Sequence, residues 1–127
     1  MSKQAEIYLG NPNLKKANVA YDFSQDDVKE FVKCSKDPVY FIREYIRIVS
    51  LDEGIIPFTM YDFQEDMVAR FHKHRFNIAK LPRQSGKSTI VTAYLLWYVL
   101  FNDNVNVAIL ANKAATAREM LGRLQLS

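Results

Sequence analysis

Cysteine is almost missing. Cys34 is the only one in 127 residues, so no internal disulfide can form and a disulfide-stapled secreted fold is excluded. Placed in a helical-looking stretch, Cys34 reads as a small core hydrophobe in a reducing compartment. Glycine and proline are scarce, four of each, and no low-complexity run appears, which removes the collagen-like, mucin-like and disordered classes. Long hydrophobic runs are absent too. Ile90 to Phe101 is interrupted by Thr92 and falls short of the roughly 18 to 20 apolar residues needed to cross a bilayer, so no membrane partner is expected. The opening MSKQAEIYLG has no apolar h-region and no small-residue cleavage site, so a cytosolic location is expected. Charge of one sign is also lacking: 17 basic against 14 acidic residues leave +3, too little to argue nucleic-acid binding without a located patch. What is present, 49% hydrophobic, 24% charged and 13% aromatic residues, is the composition of an ordinary globular domain able to bury a core.

Along the chain, residues 1–23 contain Asn11-Pro12-Asn13 and short polar runs without periodicity, and an arm with little regular structure is expected. Ser24 followed by Asp27 marks a helix start, with Val28, Phe31 and Val32 at helical spacing and an end near Ser35. Asp37 and Pro38 supply a cap and a first-turn proline for a second helix, whose apolar face is Phe41, Ile42, Tyr45, Ile46 and Val49. Asp52-Glu53-Gly54 is a turn, and Ile55 to Phe58 is too short and too proline-marked for a central strand. A third helix follows from Tyr61 to Lys73, with Phe63, Met67, Val68 and Phe71 on its apolar side. Arg75 to Leu81 suits a short buried strand, Gly86 to Phe101 an apolar helix, Val105 to Ala111 a second strand, and Lys113 to Leu126 a last helix. Strand, helix, strand, helix in that order predicts an α/β fold with parallel strands.

The stretch Leu81-Pro82-Arg83-Gln84-Ser85-Gly86-Lys87-Ser88-Thr89 stands where a phosphate-binding loop belongs, between an expected strand and a helix. At a helix N-terminus consecutive N–H groups lack intrahelical partners and carry partial positive charge, which suits an anion. Gly86 lets the backbone approach a phosphate, Lys87 is placed for the β- and γ-phosphates, and the Ser88 hydroxyl is placed for Mg²⁺. The usual G-x-x-x-x-G-K-[ST] pattern wants a glycine six residues before the lysine, and Leu81 occupies that position, so this is a deviant Walker A sequence.

Arg83 to Thr89 resembles the deviant phosphate loop of viral large terminases, the ATPases that drive DNA into preformed capsids, in which the first glycine is commonly lost and an arginine sits inside the loop. Tyr61-Asp62-Phe63-Gln64-Glu65-Asp66-Met67, with Gln64 standing 23 residues before Lys87, resembles the family's adenine-recognising glutamine motif. Asn13 to Asn18, Asp37 to Phe41 and Val107 to Lys113 resemble further segments of the large terminase of T-even-like tailed bacteriophages, in order and spacing, over about residues 10–126. The resemblance implies a P-loop NTPase of the ASCE, RecA/helicase-like type: a partial core preceded by a small helical N-terminal section. Residues 1–50 would form the arm and helical subdomain and residues 51–127 the first part of the ATPase domain.

The resemblance also implies roles. ATP and Mg²⁺ would be the cofactors. Gln64, Arg83, Gln84, Ser85, Gly86, Lys87, Ser88 and Thr89 would bind nucleotide, Ser88 would hold the metal, and Arg83 and Lys87 would act in catalysis, Arg83 on the charge of the transferring phosphoryl group. A glutamine amide can meet the N6 and N7 edge of adenine in bidentate fashion, which supports that role for Gln64; otherwise the residue would be an exposed polar position on a helix. Double-stranded viral DNA, the portal protein, the small terminase subunit and the remainder of the large terminase chain are the implied partners, in an oligomeric ring on the portal. The implied location is the host cytoplasm, transiently on the procapsid.

Phosphoryl transfer also needs an acidic residue to hold Mg²⁺ and a carboxylate to orient water. No apolar strand here ends in Asp-Glu; Asp26-Asp27, Asp52-Glu53 and Glu65-Asp66 fall in helix starts or turns. The chain is therefore expected to be the first part of a larger enzyme, lacking the Walker B aspartate, catalytic glutamate and nuclease domain, and inactive alone. Two alternatives stay open: a helicase-like nucleic-acid ATPase, and a non-catalytic nucleotide-binding or docking fragment. Arg70, His72, Lys73, His74 and Arg75 form a basic stretch that suits either DNA phosphates or the negative end of a helix. His72 and His74, two apart on a helix, point to different faces and make a poor metal pair.

Overall fold

The computed structural model describes residues 7–8, 11–20, 22–50 and 52–126. The chain divides into two compact units, 1–30 and 31–127, with the division falling inside the first helix.

In the first unit, strands β1 (Ile7–Tyr8) and β2 (Asn11–Lys15) pair antiparallel, Ile7 opposite Lys15 and Tyr8 opposite Asn11, with a register shift between. This corrects the expectation of little regular structure at residues 7–8 and 11–15; residues 16–20 and 22–23 have none, as expected, and residues 1–6, 9–10 and 21 lie outside the described residues. Asn11-Pro12-Asn13 belongs to β2 and is not a turn. A two-stranded ribbon leaves each strand one unpaired edge, where a proline without an N–H is tolerated. Helix α1 (Gln25–Lys36) then starts where Ser24 predicts. The Asp27 N–H donates to Ser24 Oγ (3.1 Å), and Asp27 Oδ2 accepts from the Ser24 N–H (2.9 Å) and hydroxyl (2.8 Å). This reciprocal box satisfies donors that the first helical turn would otherwise leave unmatched, and the Ser24 backbone bond holds the Asp27 carboxyl below its ordinary pKa.

In the second unit, helix α2 (Pro38–Tyr45) begins with the Asp37 side chain accepting from the Tyr40 N–H at 3.0 Å and proline at its first position. It ends at Tyr45, four residues before the Val49 that was expected on its buried face. Arg47–Ser50 instead forms β3, antiparallel to β4 (Gly54–Pro57), with Arg47 opposite Pro57 and Ser50 opposite Gly54. The β-branched residues Ile46, Ile48, Val49, Ile55 and Ile56 flank a turn closed by Gly54 at φ 75°, so a hairpin outcompetes one more helical turn, and Val49 becomes exposed.

Helices α3 (Asp62–Lys73), α4 (Lys87–Phe101) and α5 (Ala114–Leu126) follow close to their expected limits. The core joins Phe41, Ile42 and Ile46 to Phe58, Met67, Val68, Ile90, Ala93 and Trp97. On α4 the buried Ile90, Ala93 and Trp97 recur at three and four residues, and the Trp97 indole N–H donates to the Cys34 carbonyl at 2.8 Å. Cys34 is buried, as a core hydrophobe should be.

Arg75 to Leu81 and Val105 to Ala111, expected as parallel strands, have no regular structure. A strand is stable only when a neighbour accepts its N–H groups and donates to its carbonyls. Neither segment has such a neighbour among the described residues, and Phe76, Ile78 and Leu110 stand exposed as a result. The architecture is thus helices with two small antiparallel ribbons, a mixture compatible with part of an α/β fold. No described helix is long and apolar enough to cross a membrane.

Candidate functional site

The loop before α4 has a conformation that few sequences adopt. Gln84 sits at φ 60° and Gly86 at φ 72°, both left-handed, with Gly86 as the N-cap of α4. The Ile90 N–H donates to the Gly86 carbonyl at 3.0 Å, the first bond of the helix, so the N–H groups of Lys87, Ser88 and Thr89 have no intrahelical acceptor. The loop also braces itself, since the Ser85 hydroxyl donates to the Pro82 carbonyl at 3.0 Å.

Lys87 is exposed, and its ammonium lies back across the loop, 3.4 Å from the Leu81 carbonyl and 3.5 Å from that of Pro82. Long contacts of this kind to carbonyls leave the charge available to an anion at the loop mouth. Arg83 and Gln84 are exposed on the loop, while Ser85, Gly86, Ser88 and Thr89 are half-buried. The Ser88 carbonyl accepts the Thr92 hydroxyl at 2.7 Å, which fixes the helical turn bearing the Ser88 side chain. Backbone donors, one ammonium, one guanidinium and one hydroxyl thus gather on a single loop and helix start, a donor set suited to a phosphate chain and its metal ion.

Gln64 is placed differently from a solvated helix residue. It is 2% exposed, its Oε1 accepts from the Tyr61 N–H at 3.0 Å, and its Nε2 donates to the Ser85 carbonyl at 3.2 Å. Tyr61 to Gln64 has the spacing of a capping box, with glutamine at the third helical position reaching back to the cap. That spacing was the available signal for this burial. A Cβ added at Gly86 would lie 2.5 Å from Gln64 Nε2, so the glycine is required by its neighbour as well as by its dihedral angle.

The basic stretch disperses. Arg70 pairs with Asp66 at 2.7 Å, which raises the guanidinium pKa, and both are exposed. The His72 and Trp97 rings stand nearly perpendicular, their centres 5.2 Å apart. Lys73, His74 and Arg75 line a cavity of about 840 Å³ together with Tyr94 and Tyr98. Burial beside Tyr98 pushes the Tyr94 phenol pKa up. Among the described residues no group of His, Cys, Asp or Glu could hold a metal ion. Two of the three acidic pairs have structural partners: Asp26 with Lys29, Asp27 with Ser24, Glu65 with Arg43 and Asp66 with Arg70.

Set against known families, residues 78–124 match the family model described as terminase large subunit, T4likevirus-type, N-terminal. The matched stretch takes in the whole loop, α4 and most of α5.

Proposed function

From the match of residues 78–124 to the N-terminal family of T4likevirus-type terminase large subunits, we propose that the chain is the ATP-binding portion of a viral DNA-packaging motor, which couples ATP hydrolysis to the movement of double-stranded DNA into a procapsid. The observation that carries this reading is the loop from Leu81 to Thr89, with left-handed Gln84 and Gly86 feeding directly into α4 and Lys87 folded over it.

In this reading the loop is a phosphate loop. The N–H groups of Lys87, Ser88 and Thr89 and the Lys87 ammonium hold the triphosphate, and the Ser88 hydroxyl is the metal's protein ligand. The bound Mg²⁺ supplies charge neutralisation at the phosphates. Arg83, on the exposed face of the loop, meets charge that develops on the transferring group. The metal-anchoring aspartate, the water-orienting glutamate and the nuclease carboxylates belong to the remainder of the large subunit. Portal protein, small terminase subunit and an oligomeric ring on the portal complete the assembly in the host cytoplasm.

The test separates binding from catalysis. The 127-residue chain should bind ATP with Mg²⁺ without releasing phosphate in a colorimetric assay, and Lys87→Ala should abolish that binding. In the complete enzyme, Arg83→Ala should lower turnover by about a thousandfold or more while nucleotide affinity stays within a few-fold, and Arg83→Lys should rescue little because an ammonium lacks the planar fork. A raised Michaelis constant with unchanged turnover would make Arg83 a ground-state phosphate clamp instead.

A further inference from the structure

Gln64 touches the candidate loop from below, and its amide can sit only one way round. The Tyr61 N–H can only donate and the Ser85 carbonyl can only accept, so Oε1 must face Tyr61 and Nε2 must face Ser85, at 3.0 and 3.2 Å. Rotating the amide by half a turn would set oxygen against oxygen and N–H against N–H in a place that is 2% exposed. The orientation is therefore locked by α3 itself, through the backbone at its N-terminus.

The lock has a consequence for the loop. In a trans peptide the C=O and the following N–H point in opposite directions, and no cis peptide occurs among the described residues. Holding the Ser85 carbonyl on Gln64 therefore turns the Gly86 N–H away from α3. Gly86 follows at φ 72°, and a Cβ there would strike Gln64 Nε2 at 2.5 Å. The amide, the carbonyl and the missing side chain fit together as one joint.

We propose that Gln64 is a positioning residue of the phosphate loop, whose amide fixes the Ser85–Gly86 peptide so that the Gly86 N–H joins those of Lys87, Ser88 and Thr89 in facing a polyphosphate. This rests on the phosphate-loop reading above and changes what Gln64 does within it: the residue acts on every phosphate ligand through the loop, with no dependence on the base.

A base reader and a loop positioner give opposite results with a ligand that has no base. Isothermal titration of the wild-type chain and of Gln64→Met, a neutral side chain of similar size without donor or acceptor strength, should be run with magnesium pyrophosphate, MgATP and MgGTP. The expected result is a loss of about tenfold or more for all three ligands, equivalent to about 1.4 kcal/mol, with the ATP to GTP preference moving by less than about threefold. Unchanged pyrophosphate affinity with a collapsed ATP preference would overturn the proposal and make Gln64 a base reader. If Gln64→Met does not fold by circular dichroism, the wild type alone decides through the NMR signals of the Gln64 side-chain amide. Those signals should shift as much with magnesium pyrophosphate as with MgATP, and a shift with MgATP alone overturns the proposal. A wild-type chain that binds neither ligand, and behaves like Lys87→Ala, removes the phosphate-loop reading and this inference with it; binding that Gln64→Met retains in full removes the positioning role only.

Discussion

Helices α3 and α4, with the loop that enters α4, contrast sharply with the two apolar segments Arg75 to Leu81 and Val105 to Ala111. Both regions are rich in large hydrophobic residues. In the first, Val68 and Ile90 are fully buried and Trp97 nearly so; in the second, Phe76 is 83% exposed, Leu110 89% and Ile78 fully exposed. The difference is one of backbone chemistry. A helix satisfies its N–H and C=O groups within itself and needs its neighbours only to cover one face, whereas an extended segment needs another chain segment before any of its polar groups are matched. Hydrophobic content alone therefore does not bury a segment.

The largest expected effect lies in the packed region. Trp97 contributes both a buried ring and the bond to the Cys34 carbonyl, so Trp97→Ala should cost about 3–5 kcal/mol. Chemical denaturation with near-ultraviolet circular dichroism would measure it; a loss below about 1 kcal/mol would mean that α4 is no better packed than the extended segments, and the contrast would collapse. A smaller effect should follow at the loop. Gly86→Ala imposes a left-handed alanine and drives a methyl group onto the Gln64 amide, for an expected cost of about 1–3 kcal/mol in thermal unfolding. If that variant melts like the wild type, the loop conformation is not held by α3.

These two regions also divide what could be read in advance. The start of α1 at Ser24 and of α2 at Asp37, the break at Asn102 to Asn104, and the entry into α4 at Gly86 all depend on residues within one helical turn, so local sequence was enough. The β3–β4 hairpin was missed because Ile46 and Val49, three apart, fit a helical face while Ile46 and Ile48, two apart, fit a strand face, and the decision fell to the pairing of Ile48 and Val49 with Ile56 and Ile55, which spacing along the chain does not reveal. Strands at 75–81 and 105–111 were expected from apolar alternation, a signal that records a preference for burial and says nothing about whether a partner strand is present. The loop's residues were legible as a motif. Burial of Gln64 was legible only in half, because the capping-box spacing supplies the Tyr61 partner at one end of the amide while the partner at the other end lies 21 residues away at Ser85.

The smallest expected effect sharpens the comparison from the other side. Ile78 is fully exposed in a segment without regular structure, so Ile78→Ser removes no packed contact and should change the unfolding free energy by no more than about 0.5 kcal/mol. Leu110→Ser should behave alike. Their effect should appear in association instead, because an extended apolar segment with unmatched backbone groups templates pairing between copies. Light scattering at rising concentration should therefore show slower aggregation for the double variant at an unchanged melting temperature. A different outcome would be equally informative. A loss of more than about 1 kcal/mol on Ile78→Ser would mean that the segment is covered in solution, and burial of that kind for an extended apolar run requires a strand beside it. The parallel sheet expected from the order strand, helix, strand, helix would then be formed by this chain, and the contrast between a self-sufficient helical region and two unmatched segments would give way to a single α/β layer with the Leu81 to Thr89 loop at the strand's end.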